Sequence, residues 1–352
     1  MNRRPFLATV ATIPALLAAR RTFAATRATP GRLGVCTFSS HRAWAALRDK
    51  SAATPFTDGP TFYDYVRRLG GDGVQTSAAS LDEAAATRLR LHVEATGGYY
   101  EGDLRLPMKD SELEKFEHDV RLTRVAGATV ARTVLSGSRR YETWKTLAAF
   151  KAFRAESSQR LARVDPILKK HGLKLAVENH KDLTSAELAG LMREFSSEWL
   201  GVTVDTGNNL ALLEDLDATV EALAPFALSV HLKDMAVQPH ARGFLLSEVN
   251  CGQGFLDLPR IAATLRKANP RVRFNLEMAT RDPLLIPCLD DSYFATFPDR
   301  KATHLAAALQ RVQAHPLKQP PPTIAGLPMA QQLADEESNN RACLQWMHRH
   351  LA

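Results

Sequence analysis

Short apolar runs recur along the chain, each rich in Val and Leu, each too brief for a helix, and each parted from the next by a stretch with helical spacing. Buried parallel strands read this way, because helices packed on the sheet keep water from the strands. The first four runs are LGVCTF (33–38), GVQT (73–76), LHVEAT (91–96) and ATVARTVL (128–135). Four more follow in LKLAVENHKD, LGVTVDTGNN, ALSVHLKD and VRFNLEM. Helices are expected between them, near 62–69, 81–89, 111–125, 144–171, 185–195, 215–223 and 258–268. Ser80 ahead of Asp82 and Glu83, and Ser111 ahead of its own acids, mark helix starts. Leu147, Phe150, Phe153, Leu161, Val164 and Leu168 share one helical face, and Gly172 follows its end. Eight strands alternating with helices predict an α/β fold, specifically a (β/α)8 TIM barrel rather than an open sheet.

Beyond Glu277 the rhythm loosens. Residues 281–298 are Pro-rich and read as a long loop over the barrel mouth, followed by a helix near 300–314 and the polyproline-type linker PLKQPPP. A last helix over 329–351 forms a C-terminal helical extension, packed outside the barrel or against a partner subunit, so a homo-oligomer stays open. The expected division is an export signal at 1–25, a linker at 26–32, the barrel at 33–315 and the extension at 316–352.

The N-terminus MNRRPFLATVATIPALLAARRTFAA has a charged start, an apolar run and a small-residue end, and its paired arginines resemble a twin-arginine export signal. That resemblance implies folding before transport and a periplasmic or secreted destination. The apolar run falls short of the about 20 residues a membrane span needs, so no stable span is expected in the mature protein. Arg3, Arg4, Arg20 and Arg21 account for four of the formal +7, leaving +3 without the signal. A balance so near neutral gives no support for a nucleic-acid partner. Cys36, Cys251, Cys288 and Cys343 lack CxxC spacing, which opposes a zinc finger and leaves free thiols or one disulfide open.

Candidate chemistry gathers at the carboxyl ends of strands five to eight, where barrels bind ligands. Glu178, Asp205, His231 and Glu277 end those four runs, the first three at the spacing of one strand-plus-helix unit. Three carboxylates and one imidazole suit a single divalent metal ion, Mn²⁺ first, with Mg²⁺, Co²⁺ or Zn²⁺ as alternatives. Such an ion polarises a carbonyl and stabilises the enediolate left when the neighbouring carbon loses its proton. Glu178 and Glu277 enter three steps apart around a ring of eight strands, so they can face a small substrate from opposite sides as base and acid. His180 follows Glu178 by two and Lys233 follows His231 by two, so each is a candidate to touch substrate. Glu94 and Arg132, near the expected ends of strands three and four, are further candidates for substrate hydroxyls.

ENHKD, VDTGN, HLKD and NLEM, with Gly252, Gly254 and Asp257 in a G-x-G-x-x-D pattern, resemble the xylose isomerase-like TIM-barrel superfamily, in its sugar phosphate isomerase/epimerase branch. The resemblance implies that Glu178, Asp205, His231 and Glu277 hold the metal and that Glu178 and Glu277 exchange the proton. Ketose 3-epimerases of that group carry a histidine three residues after the aspartate ligand and an arginine six after the histidine ligand. This chain has Asn208 and Val237 there. Asn208 is therefore a candidate substrate contact of different chemistry, and Arg242 could replace the missing arginine.

The expected function is a metal-dependent isomerase or epimerase of a small-molecule carbohydrate, a sugar or keto-sugar. A lyase or dehydratase acting on keto-sugars or 3-keto-glycosides is the alternative, since the same proton abstraction can expel a β-substituent. An endonuclease IV-like phosphodiesterase would need several more histidines, and the first four strands offer only His92. A non-catalytic sugar-binding protein would bind without turnover.

Overall fold

The computed structural model describes residues 33–317 and 319–352. The expected export signal and linker lie outside the described residues. Eleven strands occur among those residues: β1 (Leu33–Cys36), β2 (Gly73–Thr76), β3 (Tyr99–Asp103), β4 (Val130–Thr133), β5 (Lys174–Glu178), β6 (Leu200–Asp205), β7 (Ala227–Leu232), β8 (Asp234–His240), β9 (Gly243–Val249), β10 (Phe274–Leu276) and β11 (Leu284–Ile286). Eight of them close a parallel barrel in the order β1-β10-β7-β6-β5-β4-β3-β2. The fold is the expected TIM barrel.

Strand three is a correction. LHVEAT was expected to be a strand, but it ends the helix Glu83–Ala95, and β3 is the next segment, Tyr99–Asp103. Ala86, Leu89 and Val93 are the buried residues of that helix, a helical spacing that overrides the strand preference of Val93 and Thr96. Glu94 therefore stands on an exposed helix face, 3.2 Å from Arg90, and His92 pairs with Asp64. Neither is brought to the barrel mouth.

Close approach of β1, β2 and β3 depends on glycine. Tyr99 crosses the floor of the barrel against Gly34 and Gly73, and a Cβ on Gly34 would sit 2.2 Å from the Tyr99 hydroxyl. That hydroxyl donates to Asn275 Oδ1 at 2.9 Å. No larger residue fits beside the ring.

Between the seventh and eighth barrel strands the chain inserts the hairpin β8–β9, whose outer edge pairs antiparallel with β11. The loop expected over 281–298 is thus partly a strand. A second apolar core lies beneath this sheet, built from Val237, Phe244, Leu246, Ile286, Tyr293 and Val312 among others. The C-terminal helix forms over Met329–Leu351 and packs on β1 and β10 and on helices His41–Asp49, Gly59–Leu69 and Leu258–Ala268. It fills the position of the helix that follows the eighth strand, and Asn340 stitches it to Ser39. All four cysteines are buried free thiols.

Candidate metal centre and substrate pocket

Each barrel strand places one polar side chain at its carboxyl end because the run before it alternates between the barrel interior and the helix layer. β5 ends on Glu178, β6 on Asp205, β7 carries His231, and Glu277 follows β10 directly. Register brings Asp205 opposite His231, and the Glu277 N–H donates to Leu232 O on β7 at 2.9 Å. Ligand atoms of Glu178, Asp205, His231 and Glu277 all lie within 4.8 Å of one another, and all four residues are buried.

The imidazole is aimed by a chain of hydrogen bonds from below. Glu101 Oε2 accepts from Ser229 Oγ at 2.7 Å, from Asn275 Nδ2 at 2.9 Å and from Gln75 Nε2 at 3.1 Å. A carboxylate only accepts, so the Gln75 amide must present its oxygen to His231. His231 Nε2 donates to that oxygen at 2.6 Å. Nδ1 is left facing Glu178 Oε2 at 3.3 Å and Glu277 Oε2 at 3.4 Å, buried and without a well-formed hydrogen bond. This is how a metal-ligating histidine is usually prepared, one nitrogen fixed and the other free toward the carboxylates.

Cations compensate the clustered acids. Lys233 Nζ lies 2.8 Å from Asp205 Oδ2, 2.7 Å from Glu277 Oε2 and 3.1 Å from Asn208 Oδ1. It does not pair with Asp234, which accepts the N–H groups of Met235, Gly252, Gly254 and Leu256. Arg132 Nε donates to Glu178 Oε2 at 2.7 Å and Nη1 to Asp103 at 3.2 Å. Burial disfavours charge on Glu178, but Arg132 and then His231 outweigh it and hold the carboxyl below its usual range. Glu277 is likewise held low, against burial, by Lys233 and His231. Burial raises Asp205 to about 7, with Lys233 opposing.

Asn208 is a junction beside the acids. Its Nδ2 donates to Glu178 Oε1 at 3.2 Å, and its Oδ1 accepts from both Lys233 and Lys181. A histidine at this position would lose the amide's simultaneous donation and acceptance. Val237 is buried in β8, and Arg242 pairs with Asp290 at the hairpin turn, so Arg242 does not fill the missing arginine position. The G-x-G-x-x-D segment serves the fold: Gly252 and Gly254 bond Asp234, and Asp257 caps the helix Leu258–Ala268.

A cavity of about 390 Å³ opens above the cluster, lined by Glu277, His231, Arg132 and His180 and also by residues that were not expected at the site. Among these are Cys36, Lys181 and Arg281. The Cys36 thiol shares the space with His231 and Glu277, and burial pushes it up to about 12. His180 Nδ1 is buried without a partner, and burial, then Lys181, lowers the imidazole to about 3. The Lys181 ammonium donates to Asn208 Oδ1, and burial, then Lys233 and Arg281, lowers it to about 8. Lys181 belongs to the ENHKD run, in the loop just past β5, and a lysine so close to a buried strand end was the available signal.

The family model of the xylose isomerase-like TIM barrel matches residues 63–309. The chain belongs to that family. Among curated proteins, the 3-oxo-isoapionate decarboxylase of Pectobacterium atrosepticum is 27% identical over 121 residues, 34% of this chain and 44% of that protein. The Escherichia coli protein YihM is 27% identical over 204 residues, 56% of this chain and 48% of that protein. The chain thus spans about half the length of either. Solved structures share the fold: a D-psicose 3-epimerase has a TM-score of 0.57 at 12% identity, with 91% of this chain and 99% of that chain covered. The 3-keto-D-glucoside 4-epimerase of E. coli has a TM-score of 0.53 at 13% identity, covering 81% and 99%. A probable 3-DHS dehydratase of Bacillus anthracis has a TM-score of 0.53 at 14% identity, covering 75% and 97%.

Proposed function

We propose that this chain is a metal-dependent isomerase or epimerase that moves a proton at a carbon next to a carbonyl of a sugar or keto-sugar. The observation that carries the reading is the pair of buried carboxylates, Glu178 and Glu277, at 3.3 and 3.4 Å from His231 Nδ1, with Glu277 and His231 lining the cavity. Glu178, Asp205, His231 and Glu277 would hold the ion, and the residues fit it: three acids converge on a buried imidazole nitrogen that has no hydrogen-bond partner. A bound divalent ion supplies polarisation of the substrate carbonyl.

The chain's own residues do the rest. Arg132 and Asn208 fix the two oxygens of Glu178, and Lys233 fixes Glu277, so both carboxylates are ionised and positioned before substrate enters. One carboxylate takes the proton; returning that proton to the adjacent carbon gives isomerisation, and delivery to the opposite face by the partner carboxyl, after it has itself taken a proton from solvent, gives inversion. Lys233 also carries a positive charge beside the acids, where it can balance an enediolate. His180 lines the cavity and suits a substrate hydroxyl.

A lyase is the second reading, favoured by the decarboxylase relative and its match to this chain. Both readings are tested together by proton NMR in deuterated water with added Mn²⁺. Ketoses and 3-keto-glycosides should lose signal at the carbon next to the carbonyl, and Glu277→Gln should slow that loss at least about 100-fold, the scale of a removed general base. No exchange by the metal-loaded protein across both substrate classes would sink the proposal. Loss of a β-substituent or of CO2 with no epimer formed would select the lyase.

A further inference from the structure

Charged side chains at the cavity come in pairs, with one exception. Arg132 has Glu178 and Asp103, Lys233 has Asp205 and Glu277, Arg281 has Glu248, and Arg139 has Glu142. Lys181 is 3% exposed, yet among the described residues no carboxylate lies within 4.0 Å of its ammonium. Its one hydrogen bond goes to the neutral Asn208 Oδ1, which Lys233 already shares. An ammonium has three donors, and burying it without a counter-ion is costly. Chains tolerate such a cost where a ligand supplies the missing charge, and Lys181 lines the cavity together with Arg139 and Arg281.

We propose that the substrate is an acidic sugar, a keto-acid whose carboxylate seats on Lys181 while its carbonyl end lies over Glu178 and Glu277. This rests on the proton-transfer reading above and names the substrate class for that same site. A carboxylate is favoured over a phosphate ester because one ammonium and two guanidiniums already engaged by acids offer few free donors. A phosphoryl group has more charge and three oxygens to satisfy, and recurring phosphate sites recruit a glycine-rich turn or a helix N-terminus as well.

The first experiment uses the unaltered protein: calorimetric titration with D-glucuronate, D-glucose and D-glucose 6-phosphate. A charge-assisted contact in a buried site corresponds to about 10- to 100-fold in affinity, so glucuronate should bind that much more tightly than glucose. Equal affinity for the acid and the neutral sugar overturns the proposal, and tighter binding of the phosphate ester overturns the choice of carboxylate. The second experiment compares kcat/KM for deuterium exchange into D-fructuronate and D-fructose. Lys181→Met should lower the acid-to-neutral ratio by about 10-fold or more, mainly through KM, and Lys181→Arg should restore part of it. An unchanged ratio overturns the proposal. Exchange into both sugars with no preference leaves the proton-transfer reading intact while this one fails. Absence of exchange into both of these and into 3-keto-glycosides defeats that reading, and glucuronate binding then decides the charge separately.

Discussion

Gln75→Leu is the sharpest probe of how the site is prepared. Gln75 lines the cavity without a hydrogen bond to Glu178 or Glu277; it accepts from His231 Nε2 at 2.6 Å and donates to Glu101 at 3.1 Å. Leucine is close in volume, so packing changes little, while His231 loses its acceptor inside the barrel. A buried donor left unsatisfied costs about 1–3 kcal/mol. Without that bond the ring can flip or change tautomer, so Nδ1 is aimed at the acids only part of the time. Loss of an outer partner of a ligating histidine lowers metal affinity about 10- to 100-fold, which is about 1.4–2.7 kcal/mol. The two routes agree. Glu101 keeps Ser229 and Asn275, so the damage should stay local. Calorimetric titration of metal-free protein with Mn²⁺ reads the affinity, and nitrogen-15 histidine spectra read the tautomer. Binding within twofold of the unaltered protein, with the fold intact by circular dichroism, would refute the reasoning.

Two further outcomes test parts of the fold that serve the site. Glu336 is buried where it accepts the N–H groups of Arg42 and Ala43, and burial raises it to about 7 from 4.5, the two backbone bonds opposing. A raised folded-state pKa means the fold holds the proton more tightly, so the stability it contributes is complete below about 4.5 and is lost as pH rises through about 7. Urea unfolding should therefore show the unaltered protein losing about 3 kcal/mol relative to Glu336→Gln between those limits; a constant difference across that range would contradict the assignment. Arg140 is 2% exposed, bonds Glu187 at 2.8 Å and Thr296, and lies 3.5 Å over the Phe150 ring. Arg140→Met should remove the Glu187 ion pair, leaving Glu187 only the Thr184 N–H, and cost about 3 kcal/mol in the same assay; a loss below about 0.5 kcal/mol would show that this bridge between the helix Ser185–Phe195 and the 291–296 segment is dispensable.

Much of this molecule was legible in its chain because barrel strands leave a local signal. β2 falls on the expected residues, as do helices Ser185–Phe195, Leu258–Ala268 and Met329–Leu351. The three acids and the histidine stood out by position alone, since a buried apolar run that ends in a metal-binding side chain repeats on consecutive units. Strand three failed because its neighbouring helix ends in strand-favouring residues, and the error hid Tyr99, Glu101 and Asp103. The insertion after β7 was visible as extra length, but not as a hairpin, because β8 and β9 pair across a turn without a strong two-residue signal.

What the sequence determined by itself is the architecture and the four side chains that converge at the barrel mouth, since both follow from short apolar runs and helical spacing along single segments. Tertiary structure alone decided the charge pairing: that Arg132 takes Glu178, that Lys233 bridges Asp205 and Glu277, and that Lys181 is left without an acid. Those partners come from different strands around a closed ring, and only ring closure fixes which carboxylate each long, flexible cation can reach.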